Sequence, residues 1–274
     1  MFSILLDFFQ KKRIDCFGML PIHACKLKKP YLLERSGIEN GSVIIMAIPY
    51  LTPVCRTPER NLSAYAVAQD YHLYFQQLFD TLFPLLQELY PQNKFVGFAD
   101  HSPIDEIHAA ARSGLGIIGK NRLLLTEKYS SYVFLGEIFT DYILPYTLHE
   151  VRTCEDCGAC VAACPAKDGA LCLSALTQKK GALTADEESQ ILRGGSVWGC
   201  DRCQEACPHT ARALRAGSIF SPISFFSEQC IPTLTSNVLE GMDEEALRRR
   251  AYAWRGRETI ARNLNLFEKG EPSC

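Results

Sequence analysis

The sequence has neither a long hydrophobic run nor a marked excess of one charge. Its longest apolar stretch runs from Ser42 to Tyr50, far short of the roughly 20 residues that a helix needs to cross a bilayer. The formal net charge is −2 over 274 residues, so any contact with nucleic acid must come from a local patch. Residues 1–10 are apolar and a basic cluster follows them at 11–13, the reverse of the charge order in a secretory signal. We expect an amphipathic helix there, and a cytoplasmic protein without membrane contact.

The thirteen cysteines are concentrated in one region rather than spread along the chain. Eight of them lie between Cys154 and Cys207. A secreted disulfide scaffold is usually short and has cysteines throughout, so this clustering indicates a metal site in a reducing compartment. The other five have no motif, and we interpret them as buried, inert thiols: Cys16, Cys25, Cys55, Cys230 and Cys274.

The cysteine region has the spacing of a bacterial ferredoxin. Residues 154–165 read C-x2-C-x2-C-x3-C-P and residues 200–208 read C-x2-C-x3-C-P, so the second run lacks one member, which Cys172 can supply. Paired C-x2-C motifs also bind zinc, but two C-P endings and the full cysteine pattern favour two [4Fe–4S] clusters. Crossed ligation assigns Cys154, Cys157, Cys160 and Cys207 to the first cluster, and Cys164, Cys172, Cys200 and Cys203 to the second.

Hydrophobic periodicity predicts mixed strands and helices ahead of the cysteines. We predict an α/β (α+β) domain over residues 1–148, a double-cluster ferredoxin-like module over 149–210 and a helical tail over 211–274. A bare ferredoxin needs only the module, so we expect an electron-acceptor site in the first domain. The predicted elements are strands at 14–19, 43–48, 94–99, 122–126 and 132–139, a helical stretch over 62–89 that Pro84 bends or splits, a helix from Ile104 to Arg112, and helical pattern over 243–267.

Three parts of the first domain have the composition of a site rather than of a core. They are residues 65–72, residues 98–103 with 109–121, and residues 132–141. The second part contains G-x-G-x-x-G at 114–119, but it follows a helix and no βαβ unit surrounds it, so we do not expect a dinucleotide fingerprint. Close approach of the backbone to a large, flat ligand is a better use of three glycines.

The order of these motifs resembles the epoxyqueuosine reductase family over about residues 14–267. That family consists of cobalamin-dependent iron–sulfur enzymes related to reductive dehalogenases, and it reduces epoxyqueuosine in tRNA to queuosine, the last step of queuosine biosynthesis. The resemblance implies a nitroreductase-like cobalamin-binding domain beside the clusters, a tRNA substrate, and a low-potential electron donor such as flavodoxin or ferredoxin. We expect a monomer. The matching motifs are Asp-Tyr-His at 70–72, Asp-x-x-Pro at 100–103, Gly-Leu-Gly-x-x-Gly-Lys-Asn at 114–121, Phe-Leu-Gly-Glu at 134–137 and the cysteine module.

The resemblance implies that Asp100 is the general acid that protonates the leaving epoxide oxygen. Burial against the corrin would keep its carboxyl protonated near neutral pH. From the residues alone, an N-cap for the helix beginning at Ile104 is the more common use of such an aspartate. With the family match, we favour the acid.

The resemblance also points to residues that would contact the corrin. We do not assign His72 as an axial ligand, because the family needs no lower histidine and a lone histidine beside aromatic residues is more often packed or hydrogen-bonded. The candidate contacts are Ser174, Asp201, Arg202, Cys203 and Gln204, together with Tyr65, Asp70, Tyr71, His72, Gly119, Lys120 and Asn121.

A basic stripe in the tail is the candidate RNA contact. Such a stripe suits phosphate binding, although a solvated helix face is its commoner use. Tyr252 and Trp254 beside it could stack on bases or face the core. The arginines of the stripe are Arg248, Arg249, Arg250, Arg255, Arg257 and Arg262.

Two other functions remain open. Many members of the family continue into a C-terminal helical-repeat region, whereas this sequence stops at Cys274, so we expect part of the RNA-binding surface to be absent. The first alternative is therefore a corrinoid iron–sulfur electron-transfer or activation protein that reduces a different acceptor. A plain ferredoxin-type carrier, the second alternative, needs neither Asp100 nor the glycine-rich loop.

Overall fold

The chain folds into two compact units. A computed structural model describes residues 1–166 and 171–270. The first unit comprises Met1–Tyr50, His72–Cys157 and Arg212–Ile223, and the second comprises Leu51–Tyr71, Gly158–Ala211 and Ser224–Cys274. No helix in the described ranges has the length and apolar composition needed to cross a bilayer.

These units do not follow the predicted boundaries, because hydrogen bonds join segments that are distant in the sequence. In the second unit, the Asn61 amide donates to the Leu234 carbonyl at 2.7 Å, so residues 51–71 pack with the cysteine module. In the first unit, the Ser218 hydroxyl donates to the Lys128 carbonyl at 3.1 Å. The functional division into residues 1–148, 149–210 and 211–274 stays a prediction.

A four-stranded antiparallel sheet forms the centre of the first unit. The elements of this part are α1 (Phe2–Lys11), β1 (Phe17–Pro21), α2 (Pro30–Ser36), β2 (Ser42–Pro49), α3 (Tyr71–Leu89), β3 (Phe95–Ala99), α4 (Glu106–Arg112), the hairpin strands β4 (Ile117–Ile118) and β5 (Leu124–Leu125), and β6 (Val133–Thr140). The strand order of the sheet is β1-β2-β6-β3. Every residue of β2 is buried, as expected for an interior strand that is covered on both faces.

Helices cover both faces of this sheet. On one face, a Cβ on Gly136 or Gly97 would lie 2.1 or 2.6 Å from the ring of Phe75 or Phe79, so the two glycines let α3 approach closely. On the other face, alternate residues of β2 and β6 form an apolar core with the alanines 109–111 of α4. The two faces follow from the strand period of two.

The predicted helix over residues 62–89 was wrong at its start. Helix α3 begins at Tyr71, and residues 62–70 contain a 3₁₀ turn at Ala64–Ala66. The reason is that two backbone N–H groups of this segment bond outside it, from Ser63 to the Trp198 carbonyl and from Asp70 to the Arg249 carbonyl, both at 2.8 Å. Pro84 lies inside α3, which continues through it rather than splitting. The amphipathic N-terminal helix and the strands at 43–48, 94–99 and 132–139 are confirmed.

Short helices build the second unit. The helices after residue 157 are α5 (Ala159–Ala162), α6 (Leu173–Thr177), α7 (Ala185–Gly194), α8 (Arg202–Glu205), α9 (Pro208–Arg215), α10 (Ser236–Glu240), α11 (Glu244–Arg248) and α12 (Arg257–Gly270). A small core of Leu173, Leu176 and Ile191 holds α6 against α7. The Asn263 amide of α12 donates to the carbonyls of Thr177 and Val197 at 2.7 and 2.8 Å.

Candidate active site

One of the six non-glycine residues with a positive φ in the described chain lies directly after β3. Asp100 has a φ of 68°, a left-handed conformation that few residues other than glycine adopt and that clusters at functional sites. Its side chain is exposed. The N-cap of α4 is Asp105, whose carboxylate accepts a hydrogen bond from the His108 N–H at 3.2 Å. The alternative in which Asp100 caps this helix was therefore wrong.

Hydrogen bonds hold the loop around Asp100, which we define as residues 100–105 and call the aspartate loop. The Asp100 backbone N–H donates to the Glu106 carboxyl. The N–H groups of Lys28 and Lys29 donate to the Pro103 carbonyl at 2.8 and 3.0 Å, and the Asp105 N–H donates to the Lys26 carbonyl at 2.8 Å. The basic segment, which we define as residues 26–31, is thus attached by its backbone to the aspartate loop.

Side chains of the same basic segment surround the loop. The Lys29 ammonium lies 3.0 Å from His101 Nδ1, and because an ammonium can only donate, Nδ1 is the acceptor. Nε2 then carries the ring hydrogen and faces the Tyr31 hydroxyl at 3.4 Å. Lys28 pairs with Asp105 at 3.5 Å and stays half exposed. Neither the lysines nor Tyr31 were predicted as site residues, although the run Lys26-Leu-Lys-Lys29 was a visible signal.

The glycine-rich segment lies against the start of the cysteine module within the first unit. The Lys120 N–H donates to Cys154 Sγ at 3.3 Å, and the Cys154 N–H donates to the Ile118 carbonyl at 3.0 Å. A Cβ on Gly116 would lie 2.3 Å from the Leu125 carbonyl oxygen, so the packing of β4 on β5 already requires this glycine. The side-chain nitrogen of Asn121 is buried and has no hydrogen-bond partner among the described residues.

Three cysteines predicted for the second cluster lie near one another in the second unit. Burial raises the pKa of the Cys200 thiol, and the neighbouring Asp201, Cys172 and Cys164 raise it further. Cys160 and Cys203 lie on α5 and α8, which pack together. All twelve cysteines of the described residues are free thiols; Cys274 lies outside the described residues.

The structure does not decide between iron–sulfur clusters and zinc. Across residues 1–166 and 171–270, no three His, Cys, Asp or Glu side chains converge in a way that could hold one metal ion. The N–H bond to Cys154 Sγ is of the kind that tunes iron–sulfur clusters. The cluster assignment stays a prediction from the cysteine spacing.

Of the four described thiols without a motif, Cys55 is buried, whereas Cys16, Cys25 and Cys230 are partly exposed. Burial raises the pKa of Cys16 and of Cys25 to about 12. Burial also raises the pKa of Cys55 and of Cys230. A thiol with a raised pKa forms little of the reactive thiolate.

Asp201 is an anchor of the second cysteine loop. Its side chain is 1% exposed and accepts hydrogen bonds from Arg60 Nη1 at 2.6 Å and the Ala64 N–H at 2.7 Å. The Ser63 hydroxyl and the Gln204 amide complete its shell. Sequence reasoning missed Arg60 and Ser63, because they lie about 140 positions away and carry no local motif.

The other predicted corrin contacts occupy two places. In the second unit, the Gln178 amide joins the Tyr65 hydroxyl at 3.4 Å to the Ser174 hydroxyl at 3.2 Å. Arg202 donates to the Gly194 carbonyl at 3.3 Å. Asp70 and Tyr71 precede and open α3, and His72 lies in its first turn. Gly119, Lys120 and Asn121 lie in the first unit, in the turn between β4 and β5.

Most tail arginines donate hydrogen bonds to other segments of the chain. Arg250 donates to the Gln229 carbonyl at 2.6 Å, and Arg257 donates to the carbonyls of Leu239 and Met242. Arg249 bonds to Gln69, and Arg262 bonds to the carbonyls of Lys179 and Gly181. The arginine stripe is therefore not a continuous phosphate-binding surface. Arg255 stacks on the exposed Trp254 at 3.6 Å, and Tyr252 is buried.

Comparison with known proteins gives one consistent result. No protein-family model matches the chain. The epoxyqueuosine reductase of Pseudomonas aeruginosa is 37% identical over 209 residues, covering 71% of this chain and 57% of that protein. The chain belongs to the epoxyqueuosine reductase family. It spans little more than half of that relative's length.

Solved epoxyqueuosine reductase structures share the mixed α/β fold. One contains a tyrosine tRNA stem loop modified with epoxyqueuosine; it is 22% identical, has a TM-score of 0.74, and the match covers 97% of this chain and 80% of that one. The Bacillus subtilis structure has its catalytic aspartate loop swung out of the active site; it is 22% identical with a TM-score of 0.73, covering 97% and 81% of the two chains.

Proposed function

We propose that the chain is a cobalamin-dependent iron–sulfur enzyme that reduces epoxyqueuosine in tRNA to queuosine. The observation that carries this proposal is the aspartate loop. Directly after β3, Asp100 has a left-handed backbone and an exposed carboxyl. The related Bacillus subtilis enzyme has a catalytic loop that is also identified by an aspartate. The 37% identity to the Pseudomonas aeruginosa enzyme supports the same reaction.

Asp100 is the general acid of this reaction. Removing an epoxide oxygen to leave an alkene consumes two electrons and two protons and releases water. The oxygen that leaves carbon must be protonated, and a positioned carboxylic acid can supply that proton. An exposed carboxyl can approach a bulky substrate and can take up a new proton from water after each turnover.

The two crossed sets of cysteines would hold two [4Fe–4S] clusters, which would supply the electrons. Residues 149–210 form the ferredoxin-like module. The nearness of Cys164 and Cys172 to Cys200 supports the second set. The bond from the Lys120 N–H to Cys154 supports a thiolate at that position of the first set.

Cobalamin would be held by the residues that the family resemblance assigns to it, and it would supply a strong reductant for the epoxide. The unpaired side-chain nitrogen of Asn121 is a donor available to a cofactor. Asp201 acts by holding the loop of Cys200 and Cys203, since its own carboxylate is occupied by Arg60, Ser63, Ala64 and Gln204.

The RNA backbone approaches the basic segment beside the aspartate loop rather than the tail. Lys26 and Lys28 are exposed, and Lys29 is held beside His101. Lysines placed this close to the catalytic carboxyl can neutralise phosphates next to the modified nucleoside. Tyr31, which is 46% exposed, offers a ring for stacking on a base.

Anaerobic reconstitution tests this function. The full chain is loaded with iron, sulfide and cobalamin, then given tRNA carrying epoxyqueuosine and a chemical low-potential donor. Nucleoside mass spectrometry should show conversion of epoxyqueuosine to queuosine. Cobalamin binding without turnover would instead indicate the alternative, a corrinoid electron-transfer or activation protein. Absence of corrinoid binding would contradict both.

A further inference from the structure

A fully buried carboxyl lies behind the aspartate loop. Glu137 sits on β6, opposite Phe98 of β3, and is 0% exposed. Its alternation along the strand places it on the face covered by α4, with Phe139 two residues away. Neither carboxyl oxygen is in hydrogen-bond geometry with a donor of the described residues. A buried carboxylate in such surroundings is costly.

The ionisable groups that face Glu137 are mostly acidic. Glu106 of α4 raises the pKa of Glu137 most after burial, Asp100 raises it less, and the neighbouring Ser102 hydroxyl lowers it. The Cys25 thiol faces it from the segment after β1, and Arg112 of α4 lies near that thiol. A cation also acts on the pair, since Lys29 attracts the Glu106 carboxylate and lowers its pKa, although less than burial raises it.

These surroundings require at least one proton on the pair near neutral pH. Burial raises the pKa of Glu106 to about 7, and burial with the charge of Glu106 raises the pKa of Glu137 well above its ordinary value. Two carboxyls in contact can form a hydrogen bond only when one of them is protonated, and their titration is then shared.

The pair is connected directly to the catalytic residue. The Glu106 carboxyl accepts the hydrogen bond from the backbone N–H of Asp100, the residue with the left-handed φ of 68°. Such a backbone conformation persists when its surroundings hold it in place. Glu106 is therefore the link between the buried sheet residue Glu137 and the strained turn.

We propose that Glu106 and Glu137 form a proton-sharing carboxyl pair that positions Asp100 for catalysis. With one proton shared, the pair is a hydrogen-bonded anchor for the aspartate loop. When that proton is lost, two buried carboxylates face each other and Asp100, and the loop is released. Both groups are positioning residues, and their effect on turnover rests on the proposed function.

The pH dependence of stability has a definite sign. Because the pKa of each carboxyl is raised in the folded state, the stabilisation from keeping them protonated is fully present below pH 4.5, the ordinary glutamate value, and is lost as the pH rises through the folded-state value, about 7 for Glu106. Replacing Glu137 with Gln keeps the shape and one donor but removes this titration. The thermal midpoint of Glu137→Gln should therefore fall less between pH 5 and pH 9 than that of the unaltered chain.

Two readouts test the pair without any enzymatic activity. Infrared spectroscopy of the full chain at pH 6 should show a buried, protonated carboxyl band that Glu137→Gln lacks and that the exposed control Glu127→Gln retains. Melting curves from pH 5 to 9 should separate Glu137→Gln from that same control. A Glu137→Gln protein with the same band and the same pH dependence as the unaltered chain would overturn the proposal. The infrared band and the melting curves therefore test whether the two carboxyls share a proton, even if the chain has no reductase activity.

Turnover supplies the third readout. Glu137→Gln should move the alkaline fall of kcat upward by about one pH unit. Glu106→Ala, which removes the acceptor for the Asp100 N–H, should lower kcat roughly a hundredfold with little change in KM, as expected for a displaced catalytic group. Glu106→Gln retains an acceptor oxygen and should recover most of that loss. An unchanged pH profile in Glu137→Gln, or equal loss in both Glu106 variants, would contradict the positioning role.

Discussion

Arg60 has two carboxylate partners, and their different burial predicts very different effects on stability. Its guanidinium bonds to Asp201 at 2.6 Å and to Glu205 at 2.7 Å. The Asp201 side chain is 1% exposed and the Glu205 side chain is 49% exposed. The buried Asp201 carboxylate accepts hydrogen bonds from four donors, which belong to Arg60, Ser63, Ala64 and Gln204. Asp201→Asn removes its charge and replaces one acceptor oxygen with an NH₂ group, which cannot accept from these donors. Leaving Arg60 without that partner should cost about 3–5 kcal/mol in the free energy of unfolding.

Glu205→Gln is the matched control, since it alters the other partner of the same arginine. An exposed ion pair contributes about 0–1 kcal/mol, so this variant should be nearly as stable as the unaltered chain. Urea unfolding of both variants, followed by circular dichroism with the iron–sulfur content held equal, measures the difference. Equal losses of stability in the two variants would refute the argument that burial decides the strength of this network.

Other predictions concern the clusters and the RNA surface. Cys172→Ser should reduce iron from about eight to about four atoms per reconstituted chain, because one four-iron cluster loses a ligand, whereas Cys55→Ser should leave the iron content unchanged; equal iron in both would remove Cys172 from the ligand set. Lys29→Ala should weaken tRNA binding and reduce the slope of log affinity against log salt by about 1. The exposed control Lys11→Ala should not alter that slope, and a slope unaffected by Lys29→Ala would exclude the basic segment as the phosphate contact.

Local patterns in the sequence were sufficient for the main strands, whereas the cysteine module stays a prediction from residue spacing. The apolar run 43–48 became the interior strand β2, because continuous burial needs no polar alternation. Cysteine spacing is likewise a local property. The start of α3 could not be predicted in this way, because the N–H groups of Ser63 and Asp70 are bound by carbonyls more than a hundred residues away.

The functional residues show the same limit. Asp100 and Asp105 both precede a helix, and residue type alone does not say which of them caps it. The two aspartates differ in their hydrogen bonds. The Asp100 N–H donates to the Glu106 carboxyl, whereas the Asp105 carboxylate accepts from the His108 N–H and caps the helix. The tail arginines looked like a phosphate-binding stripe because charge is visible in a sequence, whereas the carbonyls that receive their N–H groups are not. Glu137 was visible only as part of a strand motif.

The rate of epoxide reduction by Asp100→Asn tests the central claim most directly. Asparagine tolerates a left-handed backbone, so the loop should keep its conformation while the acidic proton is lost. We predict that the reconstituted variant binds cobalamin and tRNA as the unaltered chain does, and that its single-turnover rate falls by about 10²- to 10⁴-fold. The exposed control Asp80→Asn should react normally. An Asp100→Asn protein that forms queuosine at the unaltered rate would contradict the account.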